Sequence, residues 1–262
     1  MYKIYSKTEL LDKLKEIRSL GWIENKRYGN SGSVGNTLED LLEIPENNLP
    51  IPNANEWELK CQRQGTSSLI TLFHFEPSPR VMRFVPNILL PKYGWKHKGA
   101  GINYPSSEMS FRQTLSGMNY SDRGFKVIIN RNDKRIEISF SAQKVQPKHK
   151  IWLEQVEQRI GLNELSPQPY WGFSDIFHKA GTKLLNTFYI VAEAKKNSEG
   201  TEFYKYNKII MLSDFDLESL LYAIEFGYLF IDFDSRTGHN HGTKFRLKQD
   251  KLPTLYKTIK EF

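Results

Sequence analysis

The chain has 262 residues, 39% of them hydrophobic and 13% aromatic, which excludes an intrinsically disordered protein and allows one large domain or two lobes. Its formal net charge of +7 favours a polyanionic partner, and its one cysteine, Cys61, excludes an intrachain disulfide and a Cys₄ or Cys₂His₂ zinc site. Because the sequence has neither the apolar core of a signal peptide nor an apolar run of roughly 20 residues, we expect a cytoplasmic protein without a membrane segment.

Two amphipathic helical patterns open the chain. Ser6 and Glu9 have the spacing of a capping box, and leucines and an isoleucine follow at helical intervals. A second helix is predicted after the glycine-rich stretch, ending before Pro45. Its Glu39 is expected either to be an ordinary solvent-exposed carboxylate or to lean over the strand that comes next.

That strand, predicted over 56–61, is the main candidate for chemistry. Side chains alternate between the two faces of a strand, so Glu56, Glu58 and Lys60 share one face. The opposite face is predicted to pack into a core through Trp57, Leu59 and Cys61. Carboxylates suit a hard cation such as Mg²⁺, and a neighbouring lysine can orient water or neutralise a phosphate. An ordinary exposed Glu–Lys pair is the alternative, since Glu-x-Lys is a common pattern.

The middle of the chain is predicted to be mainly strands. Residues 68–75 form an apolar strand pattern, whereas 92–124 is predicted to be a long polar loop. Two hairpins are predicted, over 126–140 and 188–212. The basic stretch 142–150 is interpreted as a seam between lobes.

The last segment predicts one more helix, opened by Pro253, after a polar stretch containing His239 and His241. On a strand these histidines would share a face. Zinc binding is one interpretation, but no further ligands accompany them. Hydrogen bonding to base edges, together with nearby arginines, is a second interpretation, and a plain polar hairpin tip is a third.

An ordered set of short segments resembles the MvaI/BcnI family of type II restriction endonucleases over most of the chain. The matching segments are 21–27, 37–43 (TLEDLLE), 58–60 (ELK), 69–73, 113–117 (QTLSG), 170–171, 204–207 (YKYN) and 239–246 (HNHGTKFR). No single segment is diagnostic, but their order is specific. The family is related to the mismatch-repair nicking enzyme MutH, and its active site is of the PD-(D/E)xK type.

The resemblance implies an α/β protein. Its PD-(D/E)xK core would be a mixed β-sheet flanked by helices, in a catalytic lobe over 1–145. A DNA-recognition lobe over 146–262 would complete a cleft. The implied activity is sequence-specific hydrolysis of double-stranded DNA with Mg²⁺, or Mn²⁺ in its place, by a monomer that nicks each strand in turn. In a bacterial or archaeal cytoplasm, a cognate DNA methyltransferase would accompany it without direct contact.

The resemblance also implies roles for individual residues. Glu58 is the metal-binding acid, Lys60 the catalytic lysine and Glu39 the supporting helix carboxylate. The predicted metal-binding positions are Asn53, Glu58 and Leu59. The family pattern has aspartate where this chain has Asn53, a residue that brings no charge. The chain is therefore either a natural variant or carries an inactivating Asp→Asn change.

The implied DNA-binding residues are Arg112, Gln113, Ser116, Asp232, Asp234, Arg236, His239, His241 and Arg246. Asp234 stands where a family member has a base-contacting arginine, and Arg236 is the expected substitute. Two alternatives to the endonuclease remain open. One is a catalytically impaired, sequence-specific DNA-binding form, and the other is a MutH-like repair nickase.

Overall fold

The computed structural model describes residues 5–27, 32–44, 56–66 and 68–262. The predicted metal-binding residue Asn53 lies outside these ranges. The chain folds into two compact units, each assembled from several segments. The first unit comprises Met1–Ser68, Ala180–Asp216 and Gln249–Phe262, and the second comprises Leu69–Lys179 and Leu217–Lys248.

The first unit contains a five-stranded mixed sheet. Its elements are α1 (Lys7–Ser19), β1 (Ile23–Glu24), α2 (Ser33–Leu41), β2 (Glu58–Arg63), β9 (Asn186–Lys196), β10 (Glu202–Phe215), a 3₁₀ helix (Gln249–Leu255) and β14 (Tyr256–Glu261). The strand order is β1-β10-β9-β2, with β14 also pairing with β10. Strand β2 runs parallel to β9, and the other pairs are antiparallel. The predicted mixed sheet flanked by helices is therefore confirmed.

One face of this sheet is covered by α1 and α2. The predicted capping box is confirmed, because Ser6 accepts a bond from the Glu9 backbone and Glu9 accepts one from the Ser6 backbone. The apolar sides of both helices meet Trp57 and Leu59 of the β2 segment and the alternate residues of β9 and β10 in a single core. Packing on this face fixes which side chains of β2 point away from it.

The second unit contains two antiparallel sheets. Its elements are β3 (Leu69–His74), a 3₁₀ turn (Arg80–Met82), a π-helical turn (Val85–Leu89), α3 (Leu90–Tyr93), β4 (Trp95–Lys96), β5 (Met109–Ser116), β6 (Arg123–Asn130), β7 (Arg135–Val145), a 3₁₀ turn (Pro147–His149), α4 (Lys150–Ile160), β8 (Tyr170–Gly172), α5 (Phe173–Leu184, whose last turn belongs to the first unit), α6 (Leu217–Glu225), β11 (Leu229–Arg236), β12 (His239–Asn240) and β13 (Lys244–Lys248). The larger sheet has the order β3-β13-β11-β5-β4, with β12 on β11, and the smaller has the order β6-β7-β8.

Three sequence predictions differ from this architecture. The final helix is wrong: Pro253 lies inside the 3₁₀ helix, and residues 256–261 form β14 because their backbone groups pair with β10. The stretch predicted as a long loop contains β4 and β5, and β5 pairs with β11. Residues 142–150 lie within the second unit and are not a seam. Both predicted hairpins are confirmed.

The division of the chain also differs from a single boundary near residue 145. The pairing of β2 with β9 brings residues 186–196 into the sheet of the predicted catalytic strand. The catalytic and recognition roles of the lobes stay predictions. Among the helices within the described ranges, none has the length and apolar character needed to cross a membrane.

Candidate functional site

The predicted charged face of β2 is present in the structure. The Leu59 side chain packs into the core, and the side chains of Glu58 and Lys60 project from the opposite face of the strand. Their side chains meet, with Lys60 Nζ 2.7 Å from Glu58 Oε1. Glu56 is exposed and lies before the strand begins. The predicted pairing of Glu58 with Lys60 on one face is confirmed, and their catalytic roles stay predictions.

Glu58 is the unusual member of this pair, because only 1% of the residue is exposed. A second ammonium, Lys183 Nζ at the end of α5, lies 3.8 Å from Glu58 Oε1. The other carboxylate oxygen, Oε2, is buried, and no hydrogen-bond donor reaches it among the described residues. A buried carboxylate oxygen without a partner is costly, so this atom is the place where a ligand would be stabilised.

Two hydroxyl groups, those of Thr187 and Tyr256, lie near Glu58. Thr187 of β9 is the strand partner of Glu58, and its Oγ1 lies 2.7 Å from the hydroxyl of Tyr256. Burial, reinforced by the negative charge of Glu58, raises the pKa of Tyr256. Tyr256 therefore stays a neutral phenol, and the ammonium groups of Lys60 and Lys183 lie at the Glu58 carboxylate.

Glu39 lies on α2 and is half-buried. Burial raises the pKa of the Cys61 thiol, and the negative charge of Glu39 raises it further, which places this carboxylate close to β2. Cys61 alternates with Glu58 and Lys60 along the strand and packs against the core. Glu39 therefore lies near Cys61, on the face of β2 opposite to Glu58 and Lys60, so its predicted place in the acidic cluster and its supporting role stay predictions.

The residues around Glu58 fit a hard cation in chemistry. Within the part of the chain that the structure describes, no three histidine, cysteine, aspartate or glutamate side chains are grouped to hold a metal ion. Mg²⁺ needs only one or two carboxylates when substrate phosphate and water complete its shell. Oε2 of Glu58, which no donor of the described residues reaches, supplies one such ligand. Leu59, adjacent on β2, is the other described position predicted to bind metal.

A second charged surface covers one side of the larger sheet in the second unit. We call it the polar face. The opposite side is apolar and buried, through Phe111, Leu115, Ile231, Phe233, Phe245 and Leu247. Strand register places on the polar face Arg112, Thr114 and Ser116 of β5, Phe230, Asp232, Asp234 and Arg236 of β11, and Lys244 and Arg246 of β13. Six of the nine predicted DNA-binding residues therefore share this surface.

Asp232 and Arg246 form the best-supported pair on the polar face. Arg246 Nη1 lies 3.3 Å from Asp232 Oδ2, and Thr114 Oγ1 donates to Asp232 Oδ1 at 2.8 Å. Arg246 also donates to the carbonyl of Leu69. Its Nε is buried without an acceptor among the described residues. Arg246 is therefore oriented from two sides, which restricts where its guanidinium can point.

Asp234 is held more loosely. It faces Arg112 of β5 at 3.5 Å and Lys244 of β13 at 3.6 Å. The Arg112 side chain is 70% exposed. An ion pair with so exposed an arginine is worth little, so a competing donor or acceptor can replace the Arg112–Asp234 contact, whereas the side chains of Lys244 and Asp234 are each only 23% exposed. The arrangement offers an acceptor and a forked donor side by side, which are the groups that read cytosine N4 and guanine O6/N7.

The two predicted histidines lie next to this surface. His239 belongs to β12, which pairs with β11, and the His241 amide donates to the Asp234 carbonyl. Both side chains are exposed, and their rings meet edge to face with centroids 4.2 Å apart. In the described ranges no third ligand joins them, so the arrangement favours hydrogen bonding over zinc binding.

Two predicted readers are placed differently from the rest. Arg236 is tied to the buried carboxylate of Glu108 at 3.0 Å and lies over the ring of Tyr104. Gln113 points to the opposite side of the sheet from Arg112, and its Oε1 accepts from Ser121. The structure therefore separates Gln113 from the polar face, and it gives Arg236 a role in fixing the adjacent loop.

Sequence reasoning missed several residues of both surfaces. Lys183 is far along the chain from Glu58, and it reaches that carboxylate only because α5 leads into β9 beside β2. Lys244 reaches Asp234 through the pairing of β13 with β11. Short-range patterns carry no signal for such contacts. A correct strand order and register would have found both.

Comparisons with known proteins agree with this geometry. The model of the MvaI/BcnI restriction endonuclease family matches residues 11–256. A solved structure described as the restriction endonuclease MvaI–cognate DNA substrate complex is similar, with a TM-score of 0.74 and 27% identity over 99% of each chain. Restriction endonuclease MvaI in the absence of DNA is also similar, with a TM-score of 0.56 and 28% identity over 98% of this chain and 99% of that one. No curated protein sequence matches the chain.

Proposed function

Because the chain belongs to the MvaI/BcnI restriction endonuclease family, we propose that it is a type II restriction endonuclease acting on double-stranded DNA. It would hydrolyse phosphodiesters within a short sequence in the cytoplasm, nicking each strand in turn as a monomer. One observation carries the proposal above all: the buried Glu58 lies beside Lys60 at 2.7 Å, and its Oε2 has no hydrogen-bond donor within the part of the chain that the structure describes. The similarity to a DNA complex of MvaI supports DNA as the partner.

The proposed cofactor is Mg²⁺, with Mn²⁺ as a substitute. Glu58, through its carboxylate, and Leu59, through its backbone carbonyl, are the described residues that would hold it, and position 53 would join them. When bound, the ion would polarise the scissile phosphate and lower the pKa of a water molecule. Asn53 can offer an amide oxygen but no charge, which weakens the site relative to aspartate.

The residues of the chain supply the remaining features. The Lys60 ammonium can donate to the attacking water and to a phosphate oxygen, which orients the first and neutralises the second. Lys183 adds positive charge on the same carboxylate, so that one buried anion faces two cations where a polyanion would approach. The water oxygen forms a bond to phosphorus while the bond to the 3′ oxygen breaks. The water proton passes to solvent, the 3′ oxygen takes a proton, and the products are 5′-phosphate and 3′-hydroxyl ends.

Sequence recognition is assigned to the polar face. Arg246, oriented by Asp232, is suited to a bidentate bond to guanine. Asp234 and Arg112 together offer an acceptor for cytosine and a donor for guanine. His239 and His241 provide further donors at the edge of the same surface. A DNA-binding form without catalysis is the second candidate, and Asn53 is the observation that favours it.

A plasmid-nicking assay tests the proposal. Supercoiled DNA is incubated with the chain and with Asn53→Asp, each with Mg²⁺ and with Mn²⁺. Relaxed and then linear DNA from either protein supports the endonuclease. Cleavage by Asn53→Asp alone, with specific binding by the unaltered chain, identifies the impaired form. Intact plasmid in all samples would contradict the enzyme. A MutH-like nickase would instead require a partner protein and hemimethylated sites.

A further inference from the structure

The 240–243 segment consists of Asn240, the last residue of β12, and the three residues that join β12 to β13; Asn240 pairs with Ser235 of β11. The His241 amide reaches the Asp234 carbonyl, and the Gly242 amide donates to the Asn240 side chain at 3.2 Å. Gly242 has a φ of +83°, a conformation that favours glycine. The rings of His239 and His241 contact each other at 4.2 Å and are otherwise exposed. His239 is held by the pairing of β12 with β11, whereas the position of the His241 ring, and with it the contact between the two rings, depends on what holds this segment.

Beside these main-chain contacts, one carboxylate binds the segment at both of its ends. Glu76 Oε1 accepts from the Thr243 amide at 2.8 Å and from Asn240 Nδ2 at 3.4 Å, and Oε2 accepts from Thr243 Oγ1 at 3.2 Å. Thr243 is fully buried. The carboxylate spans the segment from its first residue to its last. Hydrogen bonds to a carboxylate are stronger than bonds between neutral groups, so the three donors that converge on Glu76 contribute strongly to fixing the segment.

Glu76 is itself fixed on both sides. The Phe75 amide donates to the Thr243 carbonyl at 2.9 Å, and the Phe75 carbonyl accepts from Trp171 Nε1 at 3.0 Å. The Ser78 amide donates to the Tyr170 carbonyl at 2.7 Å. The carboxylate thus lies on a stretch bound to β8 before and after it. Glu76 therefore connects the 240–243 segment to a stretch that is itself fixed to β8.

We propose that Glu76 is a positioning residue for sequence recognition, which holds the 240–243 segment so that His239 and His241 face the same base edges in every encounter with DNA. The inference rests on the proposed reading role of the polar face. Glu76 touches no base in this proposal. Its removal should therefore reduce discrimination between sequences and leave electrostatic, non-specific binding unchanged, because the phosphate-binding charges are still present.

The test compares two duplexes of equal length. One is recovered by selection from a randomised library with the full chain, and the other is a scrambled duplex of the same composition. All proteins carry Lys60→Ala so that the DNA stays intact. Glu76→Ala should lower affinity for the selected duplex by roughly tenfold or more, with scrambled-duplex affinity unchanged within about twofold. Thr243→Val removes one of the bonds and should have a smaller effect.

Two variants separate positioning from a general loss of structure. Glu76→Gln keeps an acceptor for the Thr243 amide and should restore most of the discrimination. Glu154→Ala, at an exposed position on α4, is the matched control and should have no effect. Equal losses on both duplexes for Glu76→Ala, or unchanged discrimination, would overturn the inference.

The double variant His239→Ala/His241→Ala distinguishes this inference from the function on which it rests. If the double variant loses discrimination and Glu76→Ala keeps it, only the positioning role of Glu76 fails. If the double variant keeps discrimination, the reading role of the histidines fails and the inference fails with it. If selection recovers no sequence at all, specific recognition by the chain is rejected, and the role of Glu76 with it.

Discussion

The two charged surfaces of this protein differ in how firmly their ions are held. Glu58 is 1% exposed and meets Lys60 at 2.7 Å, whereas the Arg112 side chain is 70% exposed and meets Asp234 at 3.5 Å. Burial strengthens an ionic interaction, and exposure to water weakens it. The β2 surface therefore has its geometry before a substrate arrives. On the polar face, the Arg112–Asp234 pair is one that a base edge can displace at low cost. Hydrolysis benefits from the first property and sequence reading from the second.

The largest expected effect comes from removing the fixed cation. Lys60→Ala should lower cleavage by at least about 100-fold, because a preorganised charge at the phosphate is lost. Binding of the selected duplex should change by less than about twofold, since binding is assigned to the other surface. Single-turnover cleavage and equilibrium binding measure the two quantities, in the Asn53→Asp background if the unaltered chain does not cleave. A comparable loss of specific binding would show that the two surfaces do not divide the work in this way.

Adding a carboxylate at position 53 tests the β2 surface by a gain of activity. Asn53→Asp should raise cleavage by at least about tenfold and lower the concentration of Mg²⁺ needed, because a second carboxylate strengthens the ligand set. Asn55→Asp adds the same charge two residues away and is the matched control. Equal gains from both variants would mean that bulk charge, and not a ligand at position 53, limits the reaction.

Lys183 tests whether the second ammonium belongs to the reaction. Lys183→Met should slow cleavage by roughly tenfold, because one of the two cations on Glu58 is removed, and Lys183→Arg should recover most of the rate. Cleavage is followed as a function of Mg²⁺ concentration for both. If methionine and arginine give the same rate, the charge of Lys183 contributes nothing to turnover and its place beside Glu58 is only structural.

Arg246 is a firmly oriented residue of the polar face, since Asp232 and the Leu69 carbonyl both accept hydrogen bonds from it. In this respect it resembles the Glu58–Lys60 pair. Arg246→Ala should weaken specific binding by about 1–3 kcal/mol if it reads guanine bidentately. Cleavage of the bound duplex should change less than binding. Titration of labelled duplex measures the loss, and replacement of guanine by 7-deazaguanine at each position in turn locates the base. Affinity unchanged within error would remove Arg246 from the reading set.

The sequence predicted the parts of both surfaces that depend on one strand alone. Glu58 and Lys60 are two residues apart on β2, so the period of a strand is sufficient to pair them. Contacts between elements could not be read in this way: Lys244 reaches Asp234 through a strand register, and Lys183 reaches Glu58 from the end of α5, and no local pattern contains either arrangement. The final helix failed for a related reason. Pro253 is a helix-start signal locally, but pairing with β10 satisfies the following backbone groups as a strand.

The smallest expected effects on DNA binding concern Arg112 and Gln113, which are neighbours on β5. Arg112 and Gln113 were predicted to bind DNA together, but β5 directs Arg112 to the polar face and Gln113 to the side where Phe111 and Leu115 are buried. Arg112→Ala should weaken specific binding by about 1 kcal/mol, because its partner Asp234 is loosely held and an exposed arginine is readily solvated. Gln113→Ala should leave the free energy of DNA binding unchanged within about 0.3 kcal/mol. It should lower thermal stability instead, because the hydrogen bond from Ser121 is lost. Parallel binding and melting measurements on both variants decide the matter. If Gln113→Ala melts normally but binds DNA poorly, Gln113 contacts DNA directly. The assignment of DNA binding to the polar face alone would then be wrong.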